Sequence, residues 1–365
     1  MNRKYKVAVV GATGNVGRAM LRVLAEREFP LSEIVALASK NSEGKKLSYG
    51  DEDITVQNLE QFDFAGVDFA LFSAGKEVSK IYAPIAAKTG AIVIDNSSCW
   101  RMDEKVALVV PEVNQEKIDH LADYLKKRDL KNRDATEETA QNTTLAGATI
   151  KHRIIANPNC IVIPLTIALK PLQNLGAIRR VIVSTYQSVS GAGKIAMEEL
   201  HQQSYARFIS KPTTAKAIPR TIAFNVVPHV GKFLDNGYTD EEEKIAFETC
   251  KILGTEIAIT ATCVRVPVFV GHSISVNVEF YDHYNLEEIK AALESFSNHG
   301  LVLLDEQTDT NYTTPLEIAG LPAVYVSRVR FDESCNNAFN FWITSDNLLK
   351  GAALNAVQIA EILIQ

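Results

Sequence analysis

No stretch of this chain approaches the run of roughly 20 apolar residues that a bilayer crossing requires, and its most apolar segments are broken by Gly, Pro or charge. No membrane span is therefore expected. Cysteine is scarce: five residues (Cys99, Cys160, Cys250, Cys263, Cys335), odd in number and scattered, without a CxxC pair. That pattern excludes a disulfide scaffold and suits free thiols in a reducing compartment, so a cytoplasmic protein is expected. Metal-ligand spacings such as HExxH or paired CxxC are also lacking, and no metal is expected. There is no long basic run, and the net charge is −6, which leaves little electrostatic reason to bind nucleic acid or an anionic membrane. Any anionic ligand must then be met by local cations. The opening Met1-Asn2-Arg3-Lys4-Tyr5-Lys6 is basic but leads into a short strand-like run, so no export signal is expected.

What is present is ordinary globular composition, 46% apolar and 22% charged over 365 residues, a length at which two domains are the natural expectation. The first half alternates short β-branched runs (6–10, 33–39, 67–73, 91–95) with helical periodicity (16–28, 76–89). Near-continuous apolar strands separated by helices indicate a parallel sheet covered on both faces. From 126 to 149 charges, Thr, Asn and Gln replace the periodic pattern, which reads as a polar surface excursion. Beyond it, helices over 161–175, 192–210, 240–253 and 286–298 mix with strands over 179–186, 256–264, 273–281, 323–330 and 338–344. The fold class is thus α/β: a Rossmann-type N-terminal dinucleotide-binding domain (1–158, completed by a C-terminal helix in 346–365) and a second α+β domain (159–345).

Gly11-Ala12-Thr13-Gly14-Asn15-Val16-Gly17 follows the first strand and opens the first helix. In that setting glycines let the backbone approach a pyrophosphate at a helix N-terminus. The spacing is GxxGxxG, and a tight turn without a ligand is the plainer alternative. Where an NAD-binding unit would carry an Asp or Glu for the ribose, this chain has Ser39-Lys40-Asn41-Ser42. A cation with hydroxyls suits a 2′-phosphate, so NADP is expected over NAD; an exposed polar turn fits the same residues.

Asn157-Pro158-Asn159-Cys160 feeds a helix and puts Cys160 near its start, where free N–H groups and the helix dipole favour a thiolate and an oxyanion. Taken alone, a buried, inert cysteine is the better fit. Arg265 and His272 share one apolar stretch, and the bend that would bring them together is expected at Pro267 and Gly271. His272 is the candidate acid/base for a cysteine nucleophile; an edge-strand Arg and a core His are the alternative. Arg101 lies just past a parallel strand, where α/β sheets place ligands, and is a candidate phosphate holder. Glu241 and Lys244 share a helix face and fit either a ligand's amine and anion or a surface ion pair. Tyr186-Gln187-Ser188-Val189-Ser190-Gly191 adds a second Gly-rich turn.

Together these segments resemble the aspartate-semialdehyde dehydrogenase family along nearly the whole chain. GATGNVG, NSSxxRMD, VVPEVN, NPNC, YQSVSGAG, the EEEK helix, RVPVxxGHS and DNLxKGAA stand in the family's order. The resemblance implies Cys160 as nucleophile, His272 as acid/base and Gln187 orienting the reacting centre. It implies Arg265 and Glu241 on the substrate's carboxylate and amine, with Arg101, Lys244 and Asn159 on phosphate. It implies NADP held by Gly11, Thr13, Gly14, Asn15, Val16, Gly17, Ser39, Lys40, Asn41, Ser42, Ser190, Gly191 and Asn347. The implied reaction is NADPH-dependent reductive dephosphorylation of aspartyl phosphate to aspartate semialdehyde, in lysine, threonine, methionine and diaminopimelate synthesis. A homodimer paired through the second domain is implied as well. The chain departs from the family at Asn41, where an Arg is common, which leaves the 2′-phosphate to Lys40 or Lys45. It departs again in the polar stretch 126–149, which looks like an insertion. The competing readings are N-acetyl-γ-glutamyl-phosphate reductase, whose Cys motif differs from NPNC, and a non-catalytic paralogue of the same fold.

Overall fold

The structure, a computed structural model, describes residues 3–134, 150–304 and 308–365. Two compact units are formed, one by 1–158 with 352–365 and the other by 159–351. Residues Asp346–Gly351 therefore lie with the second unit.

In the first unit the strands are β1 (Tyr5–Val10), β2 (Leu31–Ala38), β3 (Lys46–Tyr49), β4 (Glu52–Asn58), β5 (Phe69–Phe72), β6 (Ile92–Asp95), β7 (Ala107–Leu108) and β8 (Ile154–Ala156). They form one sheet in the order β3-β4-β2-β1-β5-β6-β8-β7. Every pair is parallel except the β3–β4 hairpin. The strand order reverses at β1, the switch point at which doubly wound sheets open a crevice at their carboxyl ends. Strands β5 and β6 are buried throughout, as a sheet covered on both faces requires. The helices are α1 (Asn15–Glu26), α2 (Lys76–Lys88), α3 (Pro111–Asn114) and α4 (Asp119–Asp134), together with the C-terminal helix Leu354–Ile364. That last helix packs on α1, α3 and α4 and is tied by an Arg27–Glu361 ion pair of 2.7 Å. Residues 126–134 of the expected polar excursion continue α4; 135–149 lie outside the described residues.

The second unit holds α5 (Val162–Leu175), β9 (Ile178–Gln187), α6 (Lys194–Phe208), α7 (Asp240–Leu253), β10 (Ala258–Arg265), β11 (His272–Phe280), α8 (Leu286–Glu294), β12 (Leu301–Leu304), α9 (Pro315–Ile318), β13 (Val324–Phe331) and β14 (Ala338–Ser345). Its mixed sheet runs β10-β9-β11-β14-β13-β12. Helix α5 is buried almost all round from Val162 to Leu172, the signature of a core helix rather than an amphipathic surface one. It packs against α7, α8 and the strands β13 and β14. Alternate positions on the sheet, including Ile182, Ser184, Tyr186, Ser275, Asn277 and Asn340, remain partly exposed. Among the described residues no helix is long and apolar enough to cross a membrane.

Candidate active site

The Gly-rich turn of the first unit is shaped by close approach. Gly11 has φ +84°, and a Cβ there would stand 2.7 Å from the Ser73 carbonyl oxygen. A Cβ on Gly17 would fall 2.2 Å from the Gly11 carbonyl oxygen, so only glycine lets α1 start against the end of β1. Gly14 is the N-cap; no side chain caps α1 there, and its first turn has no acidic residue. With Thr13, Asn15 and Val16 around it, this helix start keeps its positive end for an anion. Ser39 precedes a single 3₁₀ turn, Lys40–Ser42, at the carboxyl end of β2. Lys40 and Asn41 are exposed, and Lys45 Nζ lies 3.3 Å from Ser42 Oγ.

Arg101, in the same unit, is buried. It donates from Nε to the Asn157 carbonyl (2.9 Å) and from Nη2 to the Asn96 carbonyl (2.8 Å). The turn after β6 is pinned by Asp95, which accepts from Ser79 Oγ, Ser97 N–H and Ser97 Oγ. Burial pushes the Asp95 carboxyl up, against the opposing effect of those donors and of Arg101. Arg101 thus fastens the chain just ahead of Asn159 and Cys160.

The other predicted residues all belong to the second unit. Asn159 shapes the turn into α5: its Oδ1 accepts from Ile161 N–H (2.8 Å), and its carbonyl accepts from Val162 and Ile163 N–H, an Asx turn opening a helix. Cys160 therefore sits on the approach to the first turn of α5, half-buried. Its Sγ is 3.3 Å from Nε2 of His272. Arg265 ends β10 and His272 begins β11. The bend between them uses Gly271 at φ +91°, where a Cβ would meet Pro315 and Ile318 at 2.9 Å.

Helix α7 supplies the facing carboxylates. Its start is fixed by a capping box, Thr239 N–H donating to Glu242 (2.8 Å) while Glu242 N–H donates to Thr239 Oγ1 (3.3 Å). That sets its rotation, so Glu241 and Glu248, two turns apart, share one stripe. Glu241 Oε1 accepts from Asn159 Nδ2 (2.8 Å) and Gln187 Nε2 (3.3 Å), and Glu248 Oε2 accepts from Asn159 N–H (2.8 Å). Lys244 Nζ pairs with Asp240 at 2.8 Å and lies 3.8 Å from Glu241.

Around the imidazole, Ser188 N–H donates to His272 Nδ1 (3.0 Å), and Ser188 Oγ lies 3.1 Å from the same atom. Arg265 Nη1 donates to the Ser188 carbonyl (2.8 Å). A Cβ on Gly191 would reach Arg265 Nη1 at 3.2 Å and His272 Nε2 at 3.4 Å. Asn347 Oδ1 accepts from Ser188 Oγ, Ser190 Oγ and Gly271 N–H, and its Nδ2 donates to Ser190 Oγ. Burial, with Arg265 beside it, pushes the His272 imidazole down to about 3. Burial also lowers Arg265, opposed by Cys160 and Glu241, and pushes the Cys263 thiol up to about 12.

One cluster in the second unit thus gathers Asn159, Cys160, Gln187, Ser190, Gly191, Glu241, Arg265, His272 and Asn347, with Lys244 at its edge. Ser188, Glu248 and Gly351 belong to it too and were not singled out from sequence; a Cβ on Gly351 would stand 3.1 Å from Cys160 Cβ. For Glu248 a signal existed, its seven-residue spacing from Glu241. For Ser188 the only signal was its place inside YQSVSGAG. Gly351 stood in the segment DNLxKGAA.

Residues 6–121 match the family model described as semialdehyde dehydrogenase, NAD binding domain, and residues 169–350 match semialdehyde dehydrogenase, dimerisation domain. The aspartate-semialdehyde dehydrogenase of Rickettsia bellii is 48% identical over 365 residues, covering 100% of this chain and 99% of that one. The crystal structure of aspartate semialdehyde dehydrogenase II from Vibrio cholerae, complexed with ASA, superposes with a TM-score of 0.87 at 42% identity, covering 100% and 99% of the two chains. The Candida albicans enzyme with NADP gives a TM-score of 0.71 at 25% identity, with 99% and 98% covered. A Rossmann-type sheet joined to a second sheet unit, two matching domain models and relatedness along the full length make the chain an oxidoreductase, a member of the aspartate-semialdehyde dehydrogenase family.

Proposed function

We propose that the chain converts L-aspartyl-4-phosphate to L-aspartate-4-semialdehyde with NADPH, through a thioester on Cys160, within lysine, threonine, methionine and diaminopimelate synthesis. The observation that carries this reading is the 3.3 Å approach of Cys160 Sγ to His272 Nε2 on the approach to α5. A thiolate there is favoured by the helix start and by a buried Arg265 nearby. It attacks the acyl carbon and expels phosphate; His272 is its acid/base partner, and Gln187 orients the carbonyl. Arg265 takes the substrate carboxylate and Glu241 its ammonium group, while Arg101, Lys244 and Asn159 take phosphate.

NADPH supplies the hydride that reduces the thioester. The uncapped start of α1 and the glycines that open it fit a pyrophosphate, and the exposed Lys40 and Lys45 near Ser39, Asn41 and Ser42 fit a 2′-phosphate. Residues 1–158 with the C-terminal helix are the NADP-binding domain and 159–345 the catalytic and dimerisation domain. Ser190, Gly191 and Asn347 complete the nicotinamide end. The functional unit is a homodimer in the cytoplasm, paired through the partly exposed sheet positions Ile182, Ser184, Tyr186, Ser275, Asn277 and Asn340, which carry no charge to desolvate.

The test is phosphate-dependent NADP reduction with aspartate semialdehyde, repeated with NAD and with N-acetylglutamate semialdehyde. Activity with NADP and the free amino-acid aldehyde is expected. Activity confined to the acetylated aldehyde would transfer the chain to the reductase reading, and none at all would leave a binding module.

A further inference from the structure

Gln187 is buried at the end of β9, and the two ends of its amide are not interchangeable. The nitrogen only donates and the oxygen only accepts. Nε2 lies 3.3 Å from Glu241 Oε1, and the amide oxygen lies 3.3 Å from the hydroxyl of Thr185. Exchanging the ends would press the amide oxygen against the Glu241 carboxylate, which accepts and cannot donate. Gln187 therefore offers nitrogen to Glu241 and oxygen to Thr185, and Thr185 must donate.

That bond uses the one proton of the Thr185 hydroxyl. The same hydroxyl bonds the thiol of Cys263, so at that contact the thiol must be the donor. Cys263 is fully buried, which pushes its thiol up to about 12, and its proton is in place at neutral pH. Chemistry thus fixes every direction in the row: thiol to hydroxyl, hydroxyl to amide oxygen, amide nitrogen to carboxylate.

We infer that Thr185 is a positioning residue: its hydroxyl, directed by the Cys263 thiol, fixes the Gln187 amide with one Nε2 proton on Glu241 and the other left for the substrate. This rests on the reading of Gln187 as the residue that orients the reacting carbonyl, and adds to it the two buried groups that hold the amide.

The backbone builds the row in. Thr185 and Gln187 are two apart on one strand and so face the same way. In the parallel register of β9 with β10, Cys263 lies beside Thr185 and Arg265 beside Gln187. Helix α7 is tied to this block by the Cys263 N–H, which donates to Glu242 Oε1 at 2.9 Å. Glu242 follows Glu241 and also closes the capping box, which fixes the height of Glu241 along the strand. Among the described residues no acceptor takes the second Nε2 proton, and such a donor is what an acyl oxygen gaining charge needs. Without the Thr185 hydroxyl the amide oxygen is buried with no donor, and it can regain one only by turning.

The test compares Thr185→Val, which keeps the side chain's shape and removes the hydroxyl, with Thr185→Ser, which keeps the hydroxyl. In phosphate-dependent NADP reduction with aspartate semialdehyde, Thr185→Val should lower kcat about 3- to 10-fold and leave KM within about twofold. Thr185→Ser should recover most of that loss. In a Gln187→Met background, where no amide remains to be held, Thr185→Val should lower kcat no further. A parental kcat in Thr185→Val, an equal loss in Thr185→Ser, or additive losses with Gln187→Met would overturn the positioning role. Should Thr185→Val not fold, Cys263→Ala and Cys263→Ser probe the far end of the row. The alanine should lower kcat about two- to threefold and the serine, still a donor, should restore it; an alanine variant at the parental kcat would overturn the role. A crystal structure of Thr185→Val needs no turnover: the Gln187 amide should have turned from Glu241, and an unmoved amide would refute the claim. If the parent shows no phosphate-dependent turnover at all, the proposed reaction fails, while that structure still decides the role of Thr185.

Discussion

If Cys160 carries the thioester, Cys160→Ala removes the bond-forming atom and little else. We expect turnover to fall on the order of 10³-fold or more, with NADPH affinity by fluorescence titration unchanged; unimpaired turnover would eliminate the thioester route. Arg265 is buried, and its guanidinium donates to the Ser188 carbonyl. Arg265→Leu should therefore raise KM for aspartate semialdehyde roughly 10- to 100-fold, the loss of a charge-assisted hydrogen bond, and disturb the NADPH Kd far less. Comparable losses in both would remove Arg265 from the substrate pocket. His272 has a folded pKa of about 3 against an ordinary value of 6.5. The unfolded chain holds the extra proton between those values, so its contribution to stability is complete above about pH 6.5 and drains away as pH falls towards 3, by up to about 1.4 kcal/mol per pH unit. Circular dichroism should show a shallower acid loss in His272→Gln than in the parent. Superimposable acid profiles would mean that the ring is not held neutral.

At the level of elements, the turn carrying Cys160 depends on α7 as much as on α5. Glu248→Ala leaves the buried Asn159 N–H without its carboxylate acceptor, at a cost of about 1–3 kcal/mol. The thermal midpoint should fall and kcat should fall with it; a change in the midpoint alone would show that the turn keeps its shape without Glu248. Elements with strong periodicity were legible in the sequence. The α7 boundaries, 240 to 253, follow from Thr239 at one end and Gly254 at the other. The hairpin β3–β4 escaped, because Lys46–Tyr49 and Glu52–Asn58 together bury little beyond Leu47, Val56 and Asn58 and read as polar loop. So did β12, whose four apolar residues follow Gly300 without alternation. Within the site, the chemistry-bearing side chains announced themselves by type and context. Ser188 and Gly351 did not, and Glu248 did so only through its spacing from Glu241, because a backbone amide, a helix glutamate and a glycine meet their partners across long stretches of sequence.

For the whole molecule, the sheet of the second unit is the proposed contact between two copies. Ser184 lies on β9 between Thr262 of β10 and Ser275 of β11, so Ser184→Arg puts a charge in the middle of the proposed contact. Sedimentation velocity should then show a monomer where the parent is a dimer; an unshifted boundary would place the contact elsewhere. The sequence spoke to this scale only through family resemblance, since half-exposed Ser, Thr and Asn on a strand look the same whether they face water or a second copy. The second unit has one further property. Its first residues and its last ones meet, Cys160 lying against Gly351, while the imidazole partner is buttressed by Asn347 through Gly271 and Ser188. During synthesis the sulfur emerges from the ribosome long before these neighbours do, and until they arrive it is a plain thiol. If Cys160 is the nucleophile, a product terminated before Asn347 should alkylate there no faster than a free thiol, because the neighbours that flank the sulfur and buttress the imidazole are missing.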